Sequence, residues 1–295
     1  MPEVNQTEVF VRLIARATGC PAAEARKRLG EEHRRLGTNV VRAMRERELE
    51  PHRWSAKLIP FYAETDAFLF ESVAWNRSPA KCSMRRWIGD WLLRTLPPPA
   101  RILLFGDGPG FDSLYLARAA YQVDYYEPSV LSVRFAELLF QGAEQPPRRI
   151  AAADEGSPYG AILCLDVLEH VPDPPDTVRT LAGLLRPGGY LIVHAPFFST
   201  TADCPTHLRS NVRYCGNREA LYSPAGLVPV DGRMLWNPIV LQKTSNATQP
   251  CKRSTRLRIE IGRIALGTAR IWRGPHLLAA KYNSFSSERR LSKFL

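Results

Sequence analysis

Residues 101–128 read Arg-Ile-Leu-Leu-Phe-Gly-Asp-Gly-Pro-Gly-Phe-Asp-Ser-Leu-Tyr-Leu-Ala-Arg-Ala-Ala-Tyr-Gln-Val-Asp-Tyr-Tyr-Glu-Pro. The apolar run from Ile102 to Phe105 meets a turn with glycines at 106, 108 and 110, and an amphipathic segment follows. This order predicts strand, tight loop and helix, the opening of a nucleotide-binding βαβ unit. Glycine suits such a turn because the backbone must take conformations other residues resist and approach a ligand with no Cβ in the way. Asp112 and Ser113 suit the first turn of the helix. A second apolar run, 122–126, ends on Glu127 and Pro128. Glu127 stands about where a ribose-binding acid is expected, roughly 20 residues after the glycine loop. One carboxylate there can accept hydrogen bonds from both ribose hydroxyls.

The dinucleotide fingerprint is G-x-G-x-x-G, whereas this loop closes as G-x-G-x-G at Gly110. The compact spacing needs no pyrophosphate cradle and favours a nucleoside without phosphates, of which S-adenosyl-L-methionine (SAM) is the common one. Two further stretches join it. Residues 160–170, Gly-Ala-Ile-Leu-Cys-Leu-Asp-Val-Leu-Glu-His, run into Val171-Pro172-Asp173-Pro174, and residues 184–197 read Leu-Leu-Arg-Pro-Gly-Gly-Tyr-Leu-Ile-Val-His-Ala-Pro-Phe.

Together the three stretches resemble the class I SAM-dependent methyltransferases, within the small-molecule group that carries a Leu-Asp-Val-Leu-Glu-His type motif. The resemblance implies an α/β, Rossmann-like, seven-stranded and mostly parallel sheet. It places Gly106, Asp107, Gly108, Gly110, Asp112, Glu127, Pro128, Asp166 and Val167 at the cofactor. It also implies that Asp154, at the end of a short third strand over 149–153, meets the adenine amino group; the other reading is a surface loop acid. Two positions depart from the family pattern. Leu104 stands where the family has an acid two residues before the first glycine, and Gly160 where it favours an Asp before the fourth strand. Both bear on how the methionine end of SAM is held.

Upstream, 7–18 (with Thr7 as cap), 21–35 and 38–50 carry helical apolar spacing. The family commonly places a cap over its active site there; an outer layer that only packs is the alternative. In 58–76 the acids Glu64, Asp66 and Glu71 are interleaved with Phe61, Tyr62, Phe68, Phe70 and Trp75. Such aromatics are core or, beside carboxylates, the wall of a pocket for a cation. Met84, Trp87, Ile88, Trp91 and Leu92 form the stripe of a helix that Pro97, Pro98 and Pro99 end. The chain thus divides into a helical N-terminal cap over 1–97, a SAM-binding domain over 98–245 and a basic C-terminal extension over 246–295.

Methyl transfer by in-line displacement demands orientation and exclusion of water, with a base only if the nucleophile keeps its proton. His207, in Pro205-Thr206-His207-Leu208, resembles the family's substrate-side His-Leu segment and is the first candidate; His170 and Tyr62 follow. His194 lies mid-strand and reads as a core histidine, while Trp75, Tyr126 and Tyr214 are further pocket candidates. Glu169 and His170 alone are two ligands without partners, so no metal site is expected. Asp173-Pro174-Pro175 superficially resembles the Asp-Pro-Pro-Tyr motif of nucleic-acid amino-methyltransferases but lacks the aromatic and lies too far past its strand.

An apolar fraction of 45% with 23% charged residues fits a soluble globular protein, and no run approaches a membrane span, so a cytoplasmic enzyme is expected. Six scattered cysteines without C-x-x-C argue against zinc or a disulfide framework. The net charge of +11 gathers after Cys251, which keeps a nucleic-acid partner in view, although no recognised nucleic-acid module accompanies it. The first expectation is O- or N-methylation of a small-molecule acceptor. The second is a SAM-consuming cyclase or alkyl transferase releasing methylthioadenosine; the third is a nucleic-acid-modifying methyltransferase using the basic tail. The oligomeric state is not legible.

Overall fold

The computed structural model describes residues 6–244 and 253–277. Seven strands form one sheet: β1 (Arg101–Phe105), β2 (Gln122–Tyr126), β3 (Arg148–Arg149), β4 (Tyr159–Leu165), β5 (Leu185–His194), β6 (Leu227–Gly232) and β7 (Ile239–Lys243). Their spatial order is β3-β2-β1-β4-β5-β7-β6. The pairs β1/β2, β1/β4, β2/β3 and β4/β5 are parallel, and β7 runs antiparallel to both β5 and β6. This is the expected Rossmann-like sheet. Every residue of β4 is buried, as its unbroken apolar run requires of a central strand covered on both faces.

Period-two alternation divides the core between the faces. Leu103, Ile162, Cys164, Leu191, Val193 and Leu241 pack on one side, together with α9 (Pro174–Leu184). Ile102, Leu104, Ala161, Leu163 and Ile192 pack on the other with α6 (Pro79–Thr95) and α7 (Phe111–Arg118). The predicted stripe of α6, Met84, Ile88, Trp91 and Leu92, is what it buries. Leu104 is therefore a core residue, 1% exposed.

Helices α1 (Gln6–Thr18), α2 (Ala22–Arg34), α3 (Thr38–Glu46), α4 (Leu58–Glu64) and α5 (Ala67–Asn76) precede the sheet, and α1, α4 and α5 also meet α8 (Val130–Phe140). Thr7 is not a cap: it lies inside α1, and its hydroxyl accepts from Arg77 at 3.2 Å. The stretch 58–76 breaks into α4 and α5 at Thr65, whose side chain accepts from Ala67 N–H. Asp173 caps α9 by accepting from Asp176 N–H, with Pro174 in the first turn. That gives the Asp-Pro-Pro triplet a plain local cause.

The third strand is shorter than the sequence predicts. Only Arg148–Arg149 pair with β2; beyond Ile150, Glu155 Oε1 accepts from the N–H groups of Ala151 and Ala152 and turns the chain away. Strand five starts earlier than its expected Tyr190, at Leu185. The short α10 (Arg218–Leu221) precedes β6, and after β7 helix α11 (Arg253–Thr268) buries Ile259, Gly262 and Leu266 against the turn at Met234–Trp236 and β6. No helix among the described residues is long and apolar enough to cross a membrane.

Candidate active site

One cavity of about 1280 Å³ opens at the carboxyl ends of β1, β2, β4 and β5. Adjacent β1 and β4 mark the point where the strand order reverses, the usual ligand position in an open α/β sheet. Phe105, Gly106, Gly108, Tyr126, Glu127 and Pro128 form one end of it.

The glycine loop is shaped by close approach. Gly106 has φ +72°, and a Cβ there would stand 2.8 Å from Val167 Cγ2. Gly110 has φ +81°, and its Cβ would meet the Phe140 ring at 2.6 Å. Both positions exclude side chains for two reasons at once, handedness and space. Between them the Gly108 N–H donates to Glu127 Oε2 at 2.9 Å, while Ser129 N–H donates to Oε1 at 2.8 Å. Burial raises the Glu127 carboxyl to about 7, against the pull of these two donors. The acid is thus held at the cavity edge with lone pairs to spare for further donors.

Three residues expected at the cofactor make contacts within the scaffold. Asp107 Oδ2 accepts from Ser113 N–H and Oγ at 2.7 and 2.6 Å, so it caps α7. Burial, with Asp112 nearby, pushes its carboxyl up to about 7. Asp112 is buried and bound by Arg85 at 2.5 Å and Lys81 at 3.2 Å. Gly110 is the N-cap of α7 and turns away from the cavity toward Phe140. Asp154 is exposed on the turn after β3, outside the cavity lining, as the surface-acid reading has it.

Asp166 follows β4 in the left-handed region, φ +61°, and faces the cavity. Its Oδ2 accepts from Trp75 Nε1 at 2.9 Å and Lys81 Nζ at 3.0 Å, and its Oδ1 meets His194 Nδ1 at 2.5 Å. Burial works against its charge, but Lys81 and His194 hold it well below the usual carboxylate range. His194 is therefore no mere core histidine: it closes β5 beside the cavity, paired with Asp166. Lys81, 3% exposed, was hidden in the sequence, although it falls three residues before Met84 on the buried stripe of α6.

Tyr62, His170 and His207 come together at the other end. Tyr62 Oη lies 3.4 Å from His170 Nδ1, and the rings of His170 and His207 meet edge to face at 4.7 Å. Burial lowers His170 to about 4 and, with the neighbouring His170, takes His207 well below the usual range. Both imidazoles are neutral at physiological pH. His207 Nδ1 is buried with no hydrogen-bond partner among the described residues, as are both carboxyl oxygens of Glu169. Glu169 is pushed well up by burial and by Asp166. The two-ligand count from sequence needs correction: ligand atoms of Glu169, His170 and His207 lie within 4.8 Å of one another, a group that could hold a metal ion.

Both readings of 58–76 apply, to different residues. Phe61 and Phe70 are fully buried, whereas Tyr62, Phe68, Glu71 and Trp75 line the cavity. Glu71, raised by burial, Glu32 and Asp166 to about 8, faces it from α5, and Glu32 to Leu36 reach it from α2 and the turn after it. The helices before the sheet therefore wall the site. Tyr126 and Tyr214 line it as well.

Sheet order and site together define a Rossmann-like methyltransferase fold. Residues 79–223 match a family model described as "Methyltransferase domain". Among curated proteins it is similar to the ubiquinone biosynthesis O-methyltransferase of Ralstonia nicotianae, 36% identical over 118 residues, which cover 38% of this chain and 48% of that one. The protein of the same description from Xanthomonas axonopodis pv. citri is 36% identical over 107 residues, 34% of this chain and 44% of that one. The chain thus spans about half the length of the curated relatives it matches. A crystal structure of Burkholderia thailandensis 1,6-didemethyltoxoflavin-N1-methyltransferase overlaps 66% of this chain and 91% of its own at 20% identity and a TM-score of 0.45. The fold assignment rests on the strand order, not on that overlap.

The residues present fit SAM at the β1–β2 end. Gly106 and Gly108 offer bare backbone, and Glu127 offers acceptor lone pairs at the edge of the same cavity.

Proposed function

We propose that the protein transfers a methyl group from SAM to the hydroxyl of a small-molecule acceptor. One observation carries the reading: His207, whose Nδ1 has no hydrogen-bond partner among the described residues, shares one cavity with the glycine loop and Glu127. The O-directed choice agrees with the similar curated proteins, which are named as O-methyltransferases. When bound, SAM supplies an electrophilic methyl on a sulfonium. Glu127 accepts the ribose hydroxyls, and Gly106 and Gly108 allow close contact. The ring walls from Phe68, Trp75 and Tyr126 exclude water, which favours displacement by fixing the partners in line.

Tyr62 and His170 orient the acceptor. As the acceptor oxygen bonds the methyl carbon and the carbon–sulfur bond breaks, its proton passes to the His207 imidazole. A neutral histidine suits this because its lone pair is free across physiological pH. S-adenosylhomocysteine is then the coproduct. The alternative, ring closure or alkyl transfer releasing methylthioadenosine, gains no support from the glycine loop, where Leu104 is core and Asp107 bonds to Ser113.

Incubation with SAM and a panel of phenolic and aliphatic hydroxyl compounds, followed by mass spectrometry, tests the reading. The expected result is S-adenosylhomocysteine with an acceptor heavier by one methylene. Methylthioadenosine in its place would refute methyl transfer.

A further inference from the structure

Helix α11 has two apolar faces. One, Ile259, Gly262 and Leu266, is spent on the domain: Trp236 Nε1 donates to Ile259 O at 3.2 Å, and a Cβ at Gly262 would stand 3.2 Å from Leu235 N. The other is bare. Leu257, Ile261 and Ile264 are 63%, 46% and 61% exposed, spaced i, i+4, i+7 on the side opposite the buried stripe. Backbone bonds from Ile271 and Trp272 N–H to Thr268 O continue the turns. They bring Ile271 and Trp272 to the surface at 94% and 69% exposure. A contiguous apolar strip of this kind on a protein surface marks an interaction site.

Its flanks name the partner. Arg253, Arg256 and Arg270 are exposed along the same helix and its continuation. From residue 252 on, the sequence carries eleven Lys and Arg against Glu260 and Glu288, most of the chain's formal +11. We propose that α11 and the turn through Trp272 lie on an anionic phospholipid surface, with the apolar strip in the headgroup boundary and the arginines on lipid phosphates. Leu, Ile and Trp on one side with arginine beside them is the composition of an interfacial helix. Nucleic acid would engage the arginines but leave Leu257, Ile264 and Ile271 unrewarded. A symmetric pairing of two copies through the strip would set the arginine flanks against each other. Leu266, His276 and Leu277, on the inner side of this segment, line the catalytic cavity, so docking would hold that cavity beside the lipid surface.

The experiment is flotation of the full chain with vesicles of phosphatidylcholine alone or rich in phosphatidylglycerol. The expected result is capture by the anionic vesicles only. Leu257→Ser/Ile264→Ser/Ile271→Ser/Trp272→Ser should weaken it by more than roughly tenfold with an unchanged thermal melt, since all four side chains are exposed. Arg253→Gln/Arg256→Gln/Arg270→Gln, a second set that cannot disturb the core, should weaken it most at low salt. Flotation that is absent, or unchanged in the serine variant, overturns the proposal. So does retention of RNA without vesicle capture, or a dimer by sedimentation that the serine variant dissolves.

Discussion

Lys81 Nζ lies 3.0 Å from Asp166 Oδ2 and reaches Asp112 Oδ2 at 3.2 Å, so a single buried cation ties the first helix of the matched domain to the end of β4 and the start of α7. Burial alone would lower its pKa, yet the two carboxylates raise it to about 12. The partners make removal costly. Lys81→Met leaves Asp166 and Asp112 short of one cation in a site where each is desolvated. Breaking such a pair from one side costs about 3–5 kcal/mol. Urea denaturation should show a loss of that order, and Lys81→Met/Asp112→Asn should recover part of it.

Glu127 sets the second prediction. Because its carboxyl is raised to about 7, it is largely neutral below that pH and a carboxylate above it. The carboxylate is the stronger acceptor for ribose hydroxyls. Calorimetric affinity for S-adenosylhomocysteine should therefore fall as pH drops from 8 to 6, approaching tenfold per unit at the acid end. Glu127→Gln should bind more weakly at pH 8 and lose the pH dependence. A wild-type affinity flat across this window would refute the assigned contact.

His207 should titrate far from its usual range. With burial and His170 holding it neutral, the rate at saturating substrate should show no acid limb near pH 6.5. His207→Asn should lower kcat by about 10²–10⁴-fold while KM for SAM stays near wild type. Because Glu169, His170 and His207 could also hold a cation, the assay is repeated after EDTA. Retained activity is the outcome expected of a base; loss with recovery on adding a divalent ion would reassign His207 as a ligand.

Sequence spacing carried the sheet because parallel strands buried on both faces must read as unbroken apolar runs, and the run 161–165 could be little else. The glycine loop and Glu127 were legible for a related reason: a backbone that must turn and stay bare tolerates few residues. What the pattern left open was decided by side-chain partners, near and far along the chain. Asp107 and Asp112 flank the start of α7, and Ser113 binds the one while Arg85 and Lys81 bind the other. Asp154 depended on a strand that Glu155 cuts short. Lys81 and Glu71 sat in helical stripes where a charge looks like an exception, and only a fold that places acids or a cavity opposite them gives the charge its meaning. His194 was read only as a core histidine because its place in the strand says nothing of Asp166, 28 residues upstream.

Buried acids also shape stability against pH. Burial raises Glu127 to about 7; burial with neighbouring carboxylates raises Glu71 to about 8 and Asp107 to about 7. In the unfolded chain these groups ionise near pH 4. Between those limits the folded protein binds more protons than the unfolded one, so stability declines as pH rises. His170 and His207, depressed in the fold, act oppositely, but only below about pH 6.5, where the unfolded chain protonates them first. Above that value the acids set the slope, and the thiols of Cys164, Cys204 and Cys215, raised by burial, act in the same direction. The melting temperature of the ligand-free protein should therefore fall between pH 6.5 and pH 8.5, and Glu71→Gln, neutral throughout, should flatten the decline. A melting temperature that climbs over this interval would mean that Glu71 is ionised in the native state, and with that the picture of a dry, acid-lined wall beside Trp75 would have to be given up.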